Sequence, residues 1–108
     1  MKYTEIFKLK EMLENANIPF VFKDESYLFE PIGEEKYQIE YPCTFLKGGR
    51  VCSCIQGYGT YGAEQNLLEI MGLLTPEEAE QDSVCGWLTA DNVFERIKKH
   101  WEGVRSNG

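Results

Sequence analysis

The sequence predicts an α+β fold: an N-terminal helix, an antiparallel sheet of three to four strands, and two to three C-terminal helices packed on one sheet face. Three observations predict it. Apolar residues recur at helical spacing at both ends of the chain, through Ile6, Leu9 and Leu13 and again through Val93, Ile97 and Trp101. In the middle, Tyr37, Ile39 and Tyr41 alternate with Gln38 and Glu40, the period of a half-buried strand. Gly48-Gly49 then separates two apolar runs, as a hairpin turn does. At 108 residues the chain has the length of a single domain.

The first helix is expected after Thr4, which can cap it, with Glu5 at its positive end. Phe7 and Met12 widen its apolar stripe. Pro19 disfavours helical geometry at Ile18, so the helix ends near Asn15-Ala16-Asn17. Phe20-Val21-Phe22 reads as a short strand, with Tyr27-Leu28-Phe29 a second short run. Thr44-Phe45-Leu46 and Val51–Ile55 flank the Gly-Gly hairpin. Ala63 to Met71 reads as a helix carrying Leu67, Leu68, Ile70 and Met71 on its apolar side and ending at Gly72. Thr75-Pro76-Glu77-Glu78 is a capping box with proline at the first helical position, opening a helix to about Gln81. Cys85-Gly86-Trp87-Leu88 reads as a turn anchored in the core by Trp87. The last helix starts at Thr89, buries Val93, Phe94, Ile97 and Trp101, and stops at Gly103, leaving residues 103–108 frayed.

Composition narrows the function. A net charge of −7 leaves few cations for phosphate backbones, so strong direct nucleic-acid binding is not expected. The element order is similar to that of double-stranded-RNA-binding domains, but the basic contacts such domains need are missing. No stretch reaches the roughly 20 apolar residues of a membrane span. Met1–Glu5 leads straight into the amphipathic pattern with no apolar signal region, so a cytoplasmic protein with reduced cysteines is expected. The acid is concentrated. Residues 61–88 carry Glu64, Glu69, Glu77, Glu78, Glu80 and Asp82 and no Lys or Arg, which makes either a solvated helical face or a surface for a basic partner.

Gly57-Tyr58-Gly59-Thr60-Tyr61-Gly62 matches the G-x-G-x-x-G pattern of dinucleotide sites. There the glycines let backbone amides approach a pyrophosphate at a helix N-terminus. Against it, Glu64 falls in the first turn of the expected helix, where it repels phosphate. No parallel strand follows to complete a βαβ unit. Tyr58 and Tyr61, together with Glu64 and Glu69, are instead the candidate binding residues, tyrosine being favoured at binding surfaces. Cys52 and Cys54 share one strand face, and with Cys43 and Cys85 could in principle ligate zinc. The spacing lacks paired C-x-x-C turns, so neither metal nor cofactor is expected. His100, the single histidine, has no accompanying nucleophile motif, so no catalytic residue is assigned and an enzyme is not expected.

Leu67–Thr75, Asp82-Ser83-Val84 and Gly86–Ile97, with Leu9–Glu14 and Ile18-Pro19-Phe20, together resemble small uncharacterised proteins encoded by phages and prophages of Firmicutes. That resemblance implies a bacterial cytoplasmic setting and an accessory role, and carries no catalytic residue. The expectation is thus a non-enzymatic acidic accessory protein acting by protein–protein binding, on an unidentified partner, basic where it meets the acidic stretch, or on a second copy of the chain. The alternative is a small-ligand or nucleotide-binding domain using the Gly57–Gly62 loop.

Overall fold

A computed structural model describes residues 3–26, 34–42 and 51–107. The chain is α+β. Helix α1 spans Glu5–Asn15, and strands β1 (Val21–Asp24), β2 (Lys36–Tyr41) and β3 (Cys52–Gly57) follow. Next come β4 (Leu68–Met71), α2 (Pro76–Gln81), β5 (Val84–Leu88) and α3 (Ala90–Asn107). The five strands form one antiparallel sheet in sequence order. The Gly48-Gly49 hairpin and the runs at 27–29 and 44–46 lie outside the described residues.

Register decides which side chains meet. Ile39 stands opposite Cys54, Cys54 opposite Ile70, and Ile70 opposite Cys85, so these four share one sheet face. Tyr37 and Tyr41 lie on the same face, opposite Gln56 and Cys52. Ile6, Leu9 and Leu13 of α1, with Ala90, Val93 and Ile97 of α3, cover that face and are buried in one apolar cluster with it. Phe94 and Trp101 pack on this cluster half-buried. The other face is polar: Lys23 pairs with Glu40, and Gln38 donates to Ser53 at 2.8 Å.

Two elements differ from the sequence reading, and they raise the sheet from three or four strands to five among the described residues. Residues 63–71 are not a helix. Asn66 sits in the left-handed region at φ 60°, which ends a single 3-10 turn at Ala63–Gln65. Leu68 and Ile70 then point inward in strand β4 while Met71 is exposed. An apolar run of this length fits either period, and pairing with β3 and β5 decides it. Residues 84–88 are not a turn either. They form the edge strand β5, in which Gly86 and Trp87 together oppose the single residue Glu69, a β-bulge. The bulge puts Trp87 at φ 57° and turns it outward, 58% exposed, so it does not anchor the core.

Helix α3 runs through Gly103 to Asn107 rather than stopping there, and the Arg105 guanidinium lies 5.7 Å from the Trp101 ring. Thr4 does not cap α1 with its side chain. The buried Gln56 does that work from β3: its Oε1 accepts the Ile6 amide at 3.0 Å and its Nε2 donates to Asn66 Oδ1 at 2.9 Å.

Candidate aromatic docking site

The exposed aromatic side chains gather at one end of the sheet. Tyr58 is 53% exposed, Tyr61 49% and Trp87 58%, while most of the other aromatic residues described are buried or half-buried. Tyr61 and Trp87 stack, with centroids 5.6 Å apart and planes 14° from parallel. The stack is a ridge between two clefts. One, of about 610 Å³, has Tyr3, Glu34, Tyr58, Thr60, Glu64 and Gln65 among the residues that line it. The other, of about 330 Å³, is lined by Glu78, Gln81, Asp82, Val84, Cys85 and Gly86. No Lys or Arg is among the described residues that line either cleft.

The glycines of the Gly57–Gly62 loop build this ridge by close packing. A Cβ on Gly62 would stand 2.8 Å from the Trp87 amide nitrogen, and one on Gly86 would stand 2.3 Å from Tyr61 Cβ. Two missing side chains thus let the loop lie against the β5 bulge, which brings the two rings together. Gly62 also needs its positive φ of 90° to turn the chain into the 3-10 turn. Glu69, the residue facing the bulge, fixes the loop by accepting the Tyr61 amide at 2.8 Å. Of the four binding residues read from the sequence, Tyr58, Tyr61 and Glu64 therefore line one cleft, and Glu69 positions Tyr61. Trp87 completes the site. A Gly-Trp pair inside an apolar run was the available signal, because glycine in a strand marks a bulge.

The same loop lacks what a phosphate site needs. Gly57 donates to Thr60 Oγ1, Tyr58 to Glu35 O, Thr60 to Gly57 O, and Tyr61 to Glu69. Ala63, Gln65, Asn66 and Leu67 donate to carbonyls of the loop itself. With most amides already engaged and a three-residue 3-10 turn where a helix would begin, the loop offers no cradle for a pyrophosphate.

Cys54, Cys85 and His100 are bound into the frame. Burial pushes the Cys54 thiol well above its ordinary range, and burial together with Glu78 pushes up that of Cys85. Cys43 lies outside the described residues, among which no group of three His, Cys, Asp or Glu side chains is placed to hold a metal ion. His100 Nδ1 shares a hydrogen bond of 2.7 Å with the Tyr41 hydroxyl. Among the described residues no helix is long and apolar enough to cross a membrane. No family model, curated protein or solved structure matches the chain.

Proposed function

We propose that this chain is a non-enzymatic accessory protein, in the phage or prophage setting its sequence resembles, and that it acts by binding another protein through the Tyr58–Tyr61–Trp87 surface. The observation that carries the reading is the stacked, half-exposed Tyr61–Trp87 pair. Tyrosine and tryptophan dominate binding energy where they can be desolvated, because they bury much area for few frozen rotors. The two rings keep about half of their surface in water despite their stacking, and the left-handed backbone at Trp87 adds strain. Such strain is a common mark of a functional position.

Charge supports a basic partner. Within the acidic stretch, Glu69 holds the loop and Glu78 is taken by Arg96, while Glu64, Glu77, Glu80 and Asp82 are exposed. Glu64 and Asp82 line the clefts on either side of the ridge and give it a negative potential, which steers a cationic surface toward it. The test is affinity capture from a bacterial lysate with the wild-type chain and with a Tyr61→Ser, Trp87→Asn double variant. A protein retained by the wild type and lost from the folded variant supports the reading. Equal capture by both, with melting temperatures unchanged, overturns it.

A further inference from the structure

The two clefts differ in size but agree in chemistry, and this agreement narrows the partner. Each pairs a wall of the Tyr61–Trp87 stack with an exposed carboxylate, Glu64 in one and Asp82 in the other. Neither has a cation among its described lining residues. The loop amides that would welcome an anion are largely donated already. A flat aromatic face beside a carboxylate is the arrangement that recognises a planar cation: the ring quadrupole attracts the charge, and the guanidinium stacks on the ring while its edge donates to the carboxylate. An ammonium can use the charge but not the plane.

We infer that the Tyr61–Trp87 ridge receives an arginine of a basic segment of the partner protein, its guanidinium lying on the stack and donating to Glu64 or Asp82. This rests on the protein-binding reading above and adds the chemistry of what is bound. It also accounts for the strained Trp87. Glycine or asparagine would fit the bulge at φ 57° with less strain, but neither supplies the ring.

The experiment uses the full chain and three short synthetic probes, a Gly-Arg repeat, a Gly-Lys repeat and a Gly-Glu repeat, titrated while the Trp87 indole N–H resonance is followed by NMR. The arginine peptide is expected to shift that resonance saturably and to bind about fivefold more tightly than the lysine peptide. The glutamate peptide is expected not to bind. Trp87→Asn, which keeps a residue tolerant of positive φ and whose binding is followed by isothermal titration calorimetry because it lacks the indole, should weaken arginine binding about tenfold with the melting temperature little changed, relief of strain offsetting the lost stack. Glu64→Gln with Asp82→Asn should weaken it and flatten its salt dependence. Equal affinity for lysine and arginine, or arginine binding untouched by Trp87→Asn, overturns the inference by showing that net charge alone is at work. If Trp87→Asn loses the captured lysate protein but the wild type ignores the arginine peptide, the arginine assignment falls and the protein-binding reading stands. If capture is also indifferent to the variant, both fall.

Discussion

Helix α2 is the element with the least support of its own, and what holds it can be measured. It has six residues and buries none of them. A helix so short does not persist in water without partners. Glu78 supplies them. Its Oε1 accepts the Thr75 amide at 2.9 Å, closing the capping box, and takes Arg96 Nη1 of α3 at 2.7 Å, while Oε2 takes Nη2 at 2.9 Å. Arg96 donates further to the Leu73 carbonyl at 3.0 Å and, through Nε, to Asn92 at 2.8 Å, so one guanidinium ties the approach to α2 onto α3. Replacing Glu78 by Gln keeps the shape but removes the charge and sets an amide N–H₂ against the guanidinium. Loss of charge-assisted bonds to a partly buried partner should cost about 1–3 kcal/mol near neutral pH.

The pH dependence tests the cause. The Arg96 fork first, and the Thr75 amide second, lower the Glu78 carboxyl from its ordinary 4.5 to about 2. Because the folded value lies below the unfolded one, the stabilisation is fully present above about pH 4.5 and is lost as pH falls toward 2. Taken at face value the shift is worth roughly 3 kcal/mol, and since a quarter of the side chain is open to water, screening reduces it to about 1–2 kcal/mol. Urea unfolding of wild type and Glu78→Gln should therefore differ near pH 7 and converge as pH approaches 2. Hydrogen exchange should show the loss first at the α2 amides. A stability gap that stays constant from pH 7 to pH 2.5, or costs of Glu78→Ala and Arg96→Ala that simply add in the double variant, would refute the reasoning.

Three more outcomes follow from the same structure. Gln56→Ala should cost about 1–3 kcal/mol, because it leaves the Ile6 amide and Asn66 without their buried partner, and protection of the first turn of α1 should fall with it in hydrogen exchange. Ile97→Ala should cost about 2–5 kcal/mol in urea unfolding, with Phe94→Ala costing less and Lys98→Ala nearly nothing, since Ile97 is fully buried, Phe94 half-buried and Lys98 exposed. Cys54 should resist alkylation in the native state at mildly alkaline pH and react on unfolding, because burial holds its thiol protonated; native labelling as fast as that of a free thiol would contradict the assignment.

The parts of the fold that were legible are those where one signal had a single solution. The capping box at Thr75–Glu78, the helical stripe of α3 and the alternation in β2 each allow one local structure, and each is found. Residues 67–71 and 84–88 misled for a shared reason. Each is an apolar stretch of about five residues with a glycine inside it or beside it, too short to fix a period. Their state is decided by each other: β4 completes its pairing only if β5 lies beside it, and β5 lies there only by ejecting Gly86 and Trp87 as a bulge. Local sequence cannot carry a decision made by two segments sixteen residues apart.

The candidate site shows the same dependence in reverse. The glycine pattern was visible in the sequence, and so were the two tyrosines, but the use of the glycines was not. In a dinucleotide fold they clear space for a phosphate; here Gly62, with Gly86 from outside the pattern, clears space for another strand of the same chain. What separates the two uses is where the loop's amides go, and that depends on Glu69 and on the carbonyls of Gly57, Thr60 and Gly62. Once those amides are engaged, the loop presents side chains rather than backbone to the solvent. Tyr61 and Trp87 then define the surface, and the exposed carboxylates around them determine the sign of the charge it attracts.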